Sequence, residues 1–286
     1  MSTKILDGRK IRDEAIPLLK KRVSALSFVP SLAIVQVGDR EDTNAYIKAK
    51  KAFAEKIGVE VRHLQFKEKI DEVGLIQEIE KLNKDNKVNG IIVQLPLPDA
   101  IDRDRVINAI SPEKDTDALT ADNVKRWVNG SKGAILPATA RCIRTLLKYY
   151  NIGLSGKKVA VVGRSALVGK PTACMCLNEN ATVTISHSQT SDLAKETKDA
   201  DIIIVATGKP CLITTKHVRE GQVVVDVGIN TVEGNKLDDE IVERKLVGDV
   251  DFENVSKIVS AVSPVPGGVG PLTVLSLFEN LLEMCS

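Results

Sequence analysis

Five short apolar runs limit what this chain can fold into: "SLAIVQVG" (31–38), "GIIVQLPLP" (90–98), "KKVAVVG" (157–163), "DIIIVAT" (201–207) and "QVVVDVG" (222–228). Each is rich in Val and Ile and nearly free of polar residues, the pattern of a strand covered on both faces. Helical patterns separate them. "EVGLIQEIEKLNKD" (72–85) repeats apolar residues at Val73, Ile76, Ile79 and Leu82, one face of a helix. Helices are also expected over 43–58, 102–111, 139–150, from about Val168, over 191–200 and over 274–284; strands over 59–66 and 182–186; and shorter strands at 245–250 and 257–262. Strands that alternate with helices build parallel sheets with helices packed on them. The segment Pro112–Pro137 has no clear period, and the alternation restarts near 137–157. The expected fold is therefore α/β in two domains.

At 286 residues, with 43% hydrophobic and 27% charged residues, the chain can bury two ordinary cores. A net charge of +2 and an aromatic share of 3% argue against a nucleic-acid partner, which calls for a clustered basic face and stacking rings. No apolar stretch approaches the roughly 18 residues a membrane span needs. The N-terminal "MSTKILDGRKIRDE" lacks the apolar centre of a signal peptide. Five scattered cysteines suggest reduced thiols in a cytoplasmic protein, and none has a His or Cys partner at metal spacing, so no metal is expected.

"KKVAVVGRSALVGKP" ends a β-branched run at Gly163 and starts a helix near Gly169. Glycines there tighten the turn and let phosphate approach helix N–H groups. The spacing G-x-S-x-x-x-G only partly meets the dinucleotide fingerprint, and a bare strand-to-helix turn reads the same way. The next strand ends in "HSQT", so His187 and Ser188 occupy the place of the acid that binds the ribose of NAD. With Arg164 in the turn, this favours a 2′-phosphate and hence NADP; His187 as a simple strand cap is the alternative.

In the first half, Tyr46 and Lys50 share a helix face four residues apart. A Y-x-x-x-K pair also occurs in short-chain dehydrogenases, but there it follows the nucleotide loop, and here it precedes it. Gln94 is an amide in an otherwise apolar run and requires partners if buried. Asp117, in "PEKDTDALT", suits either paired N–H donors of a ligand or a helix cap. Near the C-terminus, "VSPVPGGVGPLT" places three prolines and three glycines within Pro264–Pro271, stiff at some points and bare at others. It reads as a tight connection or as a wall against a flat ligand.

Taken in order, "YIKAK", "VQLPLP", "PEKDTDALT", "GRSALVGKP", "VDVGIN", "GDVDF" and "PVPGGVGPLT" resemble the bifunctional methylenetetrahydrofolate dehydrogenase/cyclohydrolase family along essentially the whole chain. A shikimate-type dehydrogenase would share the two α/β series but not the Pro-Gly loop. The resemblance implies a folate-binding catalytic domain over 1–140 joined by the helix 271–286, a Rossmann-like NADP-binding domain over 141–270, and a cleft between them lined by the Pro-Gly loop. It implies Lys50 as the catalytic lysine, Tyr46 stacked on the pterin, Gln94 bonded to Lys50, and Asp117 anchoring the pterin. Val93, Leu95, Pro264, Pro266, Gly267 and Gly268 complete the substrate surface. Gly163, Arg164, Ser165, Ser188 and Ile229 hold NADP. The implied reactions oxidise 5,10-methylenetetrahydrofolate and hydrolyse the product to 10-formyltetrahydrofolate, a one-carbon donor for purine biosynthesis, in a cytoplasmic homodimer. The chain departs from the family at Ala118, where glycine is usual in a loop that calls for φ > 0, and in "LPATAR", where Ala138 and Ala140 replace Cys and Pro.

Overall fold

The computed structural model describes residues 3–238 and 241–285. Its elements begin with β1 (Lys4–Ile5), α1 (Gly8–Ser24), β2 (Ser31–Val37), α2 (Glu41–Ile57), β3 (Glu60–Phe66), α3 (Glu72–Lys84), β4 (Gly90–Val93), α4 (Arg103–Asn108), α5 (Ala121–Val128) and α6 (Ala138–Tyr149). They continue with β5 (Lys158–Val162), α7 (Gly169–Asn178), β6 (Thr182–Ser186), α8 (Leu193–Asp199), β7 (Ile202–Val205), a 3-10 turn (Thr215–His217) and β8 (Val223–Asp226). The hairpin β9 (Asn230–Asp238) and β10 (Ile241–Val247), α9 (Phe252–Val255), β11 (Ala261–Val262) and α10 (Gly270–Met284) complete the chain.

Two compact units result. One joins the described residues up to Arg12 to Thr139–Thr273, and the other joins Asp13–Ala138 to the chain from Val274 onward. The second unit holds a three-stranded parallel sheet in the order β3-β2-β4. β2 is buried along its whole length, as its apolar run Leu32–Val35 requires. One face packs Ala33, Val35, Ile91 and Val93 on Leu75, Ile79 and Leu82 of α3. Elsewhere in this unit Phe53 of α2 stacks on Phe278 of α10, ring centroids 5.4 Å apart. Asn280 of α10 donates to the carbonyls of Thr116 and Leu136, which fixes the loop carrying Asp117.

The first unit holds a six-stranded parallel sheet in the order β1-β11-β8-β7-β5-β6. Its centre is the apolar triplet of β5, β7 and β8, all buried around Ile203, Val205, Val162 and Val224. The strand order reverses beside β5, which puts the turn after β5 at the crevice where open parallel sheets bind ligands.

The structure departs from the sequence expectations in several places. The expected strand 90–98 ends at Val93, because Pro96 and Pro98 cannot donate to a ladder. The segment 112–137 contains α5, capped by the Thr120 hydroxyl and buried only through Asn123 and Trp127, too few positions to show a period. The N-terminal helix α1 carries Pro17 inside it, which masks its pattern. The expected strands at 245–250 and 257–262 shrink to the end of β10 and to Ala261–Val262.

Candidate active site

In the unit with the three-stranded sheet, α2 follows β2 and carries Tyr46 and Lys50 on successive turns. Tyr46 is exposed, with half of its surface open. Lys50 turns inward, and its Nζ donates to Gln94 Oε1 at 2.7 Å. Gln94 follows directly on β4; its N–H donates to the Val35 carbonyl, and its Nε2 donates to the Leu95 carbonyl at 3.1 Å. The amide expected to need partners thus has them at both ends. Val93 is buried as the last residue of β4, and Leu95 is half-buried beside it.

Asp117 reaches the same site by another route. Asp115 forms a parallel bridge with Ile91, is held by the Thr120 N–H and Asn123 Nδ2, and carries the loop to Asp117 two residues on. Burial pushes the Asp117 carboxyl up, the Lys50 charge opposes this, and Asp115 adds to it. Burial likewise pushes the Lys50 amine down, against the pull of Asp117. Burial dominates both groups, so each is driven toward its neutral form. A neutral amine and a protonated or hydrogen-bonded acid are the forms that exchange protons with a bound molecule near pH 7.

Ala118, next to Asp117, sits at φ 56, the left-handed region that glycine adopts freely. Its carbonyl accepts the Trp127 indole N–H at 3.0 Å, which holds the residue in that conformation.

The other unit provides a separate cavity of about 470 Å³, lined by Gly163, Arg164, Ser165, His187, Ser188 and Thr207 among others. Gly163 leaves β5 at φ 126, and a Cβ there would overlap the Ala206 carbonyl. A Cβ on Gly169 would overlap the Gly163 carbonyl. The helix therefore starts directly against the strand end only because both positions are bare. Ser165 Oγ accepts the N–H groups of Val168 and Gly169, shaping the turn. His187 caps its own loop, its Nδ1 accepting the Gln189 N–H, which leaves Ser188 exposed at the rim. Arg164 and Lys209 are exposed cations on the same cavity.

Thr190, Thr207 and Lys209 line this cavity and were not singled out by sequence pattern. Thr207 and Lys209 follow β7, and the rule that ligands bind beyond the carboxyl ends of parallel strands is the signal that points to them. Within this unit Ile229 is exposed beyond β8 and lies beside Gly270, where an added Cβ would be 3.7 Å from Ile229 Cδ1. Pro264 is half-buried and Pro266 exposed after a cis Val265–Pro266 bond, and the Gly8 N–H donates to the carbonyl of the buried Gly267. A Cβ on Gly268 would be 2.6 Å from the Pro264 carbonyl oxygen, so the loop closes on itself only with glycine there.

Two family models cover most of the chain: the tetrahydrofolate dehydrogenase/cyclohydrolase catalytic domain matches residues 6–117, and the NAD(P)-binding domain of the same family matches 137–286. The chain belongs to this family. It is 45% identical over 285 residues to the bifunctional protein FolD of Lactobacillus acidophilus, covering 98% of this chain and 96% of that one. Among solved structures, the bifunctional FolD enzyme of Campylobacter jejuni superposes with a TM-score of 0.93 at 39% identity, covering 99% of each chain. The Trypanosoma brucei methylenetetrahydrofolate dehydrogenase-cyclohydrolase, solved with NADP and an inhibitor, gives a TM-score of 0.93 at 33% identity over 100% of this chain and 98% of that one. Among the described residues no helix is long and apolar enough to cross a membrane.

Proposed function

We propose that this protein oxidises 5,10-methylenetetrahydrofolate with NADP⁺ and hydrolyses the methenyl product to 10-formyltetrahydrofolate, feeding one-carbon units to purine biosynthesis. The observation that carries the reading is the Lys50–Gln94 contact at 2.7 Å, with a lysine amine whose pKa burial lowers. The unit with the three-stranded sheet binds the folate. Tyr46 offers an exposed ring for the pterin to stack on, and Asp117 anchors the pterin N–H groups as a hydrogen-bonding carboxyl. Val93 and Leu95 add apolar contacts beside Gln94. Pro264, Pro266, Gly267 and Gly268 form a stiff, bare surface suited to a flat ring.

The residues of the six-stranded unit fit NADP: two glycines that allow close approach, a hydroxyl at Ser165, and Arg164 and Ser188 at the rim for a 2′-phosphate. No carboxylate stands at the end of β6, where NAD binding calls for one. Bound NADP⁺ supplies the hydride acceptor, and Ile229 offers an apolar surface to its nicotinamide end. Hydride loss leaves a delocalised cation on the folate and requires no protein acid, so this chain contributes orientation to that step.

Hydrolysis makes greater demands. Water bonds to the bridging carbon, one water proton passes to the neutral Lys50 amine, and the carbon–N5 bond breaks as N5 takes a proton back from Lys50; the second water proton leaves to solvent. A lysine at its ordinary pKa of about 10.4 is protonated at pH 7, and each unit by which that pKa falls takes about 1.36 kcal/mol. Burial and the cationic methenyl substrate both act in that direction. Gln94 accepts from the amine and aims it.

A homodimer through the six-stranded unit is supported by β6, an edge strand that among the described residues pairs only with β5 and carries the exposed Ile185, and by the exposed Leu177 on α7. Free cysteines support a reducing, cytoplasmic setting. The test is to mix purified protein with 5,10-methylenetetrahydrofolate and follow reduction of NADP⁺ and NAD⁺ in parallel. Fast reduction of NADP⁺ with little of NAD⁺ supports the reading; no reduction of either overturns it.

A further inference from the structure

The wall of the dinucleotide cavity formed by Thr207 is held by a single carboxylate behind it. Asp249, fully buried just after β10, accepts at Oδ2 from the Thr207 N–H at 2.6 Å, the Thr207 hydroxyl at 2.9 Å and the Gly208 N–H at 2.9 Å. Its Oδ1 accepts from Asn230 Nδ2 at 2.9 Å. All four donors are neutral, so the carboxylate is stabilised by convergent dipoles alone. Its backbone is fixed in turn by Asp226 at the end of β8. Asp226 Oδ1 accepts the N–H groups of Asp249 and Gly228, Oδ2 accepts that of Val250, and the Asp226 N–H donates to Ser263 Oγ.

The two carboxylates leave no room for side chains around them. A Cβ on Gly228 would overlap the Asp249 carboxylate, and one on Gly248 would overlap that of Asp226. The glycines of "VDVGIN" and "GDVDF" are therefore required by these two acids, not by the turns as such. The result is one unit that ties the end of β7 to both neighbours of Ile229, namely Gly228 and Asn230. Gly208 sits at φ 66 with nothing within 4 Å of where a Cβ would stand, so no side chain packs at this point of the loop after β7 and its N–H bond to Asp249 holds it there. Without the carboxylate, the N–H groups of Thr207 and Gly208 lose their partner, and the Thr207 face of the cavity loses its orientation.

We propose that Asp249 is a positioning residue for the bound dinucleotide, acting through Thr207 on one side and Asn230–Ile229 on the other. The inference rests on NADP occupying the cavity at Gly163. It accounts for a buried charge that neither reaction step uses and that lies behind the cavity wall.

The test uses the full-length protein and three readouts: NADPH affinity by its bound fluorescence, KM for NADP⁺, and cyclohydrolase turnover of methenyltetrahydrofolate with no dinucleotide present. Asp249→Ala removes three bonds to the wall and is expected to weaken NADPH binding and raise KM for NADP⁺ roughly thirtyfold. Asp249→Asn keeps an acceptor toward Thr207 while its amide faces a rotated Asn230, and is expected to recover to within about fivefold of wild type. Cyclohydrolase turnover stays within about twofold in both, because Lys50, Gln94 and Asp117 belong to the other unit and share no hydrogen bond with Asp249. If Asp249→Ala fails to fold, Asn230→Ala, outside the cavity lining, serves in its place with an expected weakening of about fivefold. Unchanged NADPH affinity in the folded variant overturns the proposal, and so does cyclohydrolase loss in step with binding. A wild-type protein that hydrolyses methenyltetrahydrofolate but binds no NADPH overturns instead the reading of the cavity on which the proposal rests.

Discussion

Replacing Lys50 by Met separates the two reactions. Methionine fills nearly the same volume but has no donor for Gln94 Oε1, which loses its 2.7 Å contact while Gln94 Nε2 keeps the Leu95 carbonyl. A positioned proton-transfer group contributes about 10²–10⁴ in rate. At about 1.36 kcal/mol per tenfold, that is roughly 2.7–5.4 kcal/mol removed from the hydrolytic transition state. Hydride transfer uses Lys50 only to orient the folate, so dehydrogenase activity should fall by less than about tenfold, or 1.4 kcal/mol. Dehydrogenase activity is measured by NADPH formation from the methylene substrate, and hydrolysis by loss of added methenyltetrahydrofolate. Lys50→Arg should not restore hydrolysis, because a guanidinium stays charged at any working pH. The same change has a signature in stability. With its folded pKa below the unfolded value near 10.4, Lys50 binds fewer protons folded than unfolded. Its cost to the fold is therefore full at low pH and disappears as pH rises toward 10.4, so wild-type stability gains in that window and Lys50→Met lacks the gain. Equal loss of both activities in Lys50→Met would refute the split of roles.

Three further outcomes follow from the six-stranded unit. Gly163→Ala puts a Cβ on the Ala206 carbonyl at a φ of 126, and should abolish NADPH binding and lower stability by roughly 2–4 kcal/mol in urea melts. Burial raises the Asp226 carboxyl to about 7 against an unfolded value near 3.8. Its contribution to stability is thus full below 3.8 and lost as pH rises through about 7, and Asp226→Asn should flatten the fall in stability between those limits. Ile185→Asp places a charge on the edge strand β6, and if the proposed homodimer forms there, sedimentation should show the wild type as a dimer and the variant shifted toward monomer with the fold intact; a wild-type monomer or an unchanged variant dimer would overturn that contact.

Sequence pattern exposed the parts of this molecule that are set locally. The β-branched runs around Val35, Val161, Ile203 and Val224 are central strands because both faces are covered, and no distant residue is required to see it. Lys50 and Tyr46 were visible through their helical spacing, and Gln94 because an amide in a buried run demands partners, but which partner it finds depends on packing α2 against β4. The N-terminal helix stayed hidden because Pro17 interrupts the pattern that tertiary packing nonetheless sustains. Strand β1 is two residues long and exists only because β11 pairs with it from more than 250 positions away.

Ala118 and Asp249 mark the two ends of this range. The resemblance implies glycine in the loop after Asp117, and this chain holds an alanine there at φ 56, in the left-handed region. The fold accepts the cost of the Cβ, about 1–2 kcal/mol, because the Trp127 indole and the Asp115 carboxylate, through Thr120 and Asn123, hold both sides of the loop. A local conformational demand can therefore be read even where the residue departs from the usual one. Asp249 shows the opposite case. In sequence it is one acid among 38, in a motif whose glycines suggest only a turn. Its role depends on three segments meeting at one carboxylate: residues 207–208, 226–230 and 249 itself. Such convergence has no period and no fixed spacing. It is visible only once the strands β7 and β8 and the turn after β10 stand side by side, and there the glycines on either side of the two acids become evidence of what they make room for.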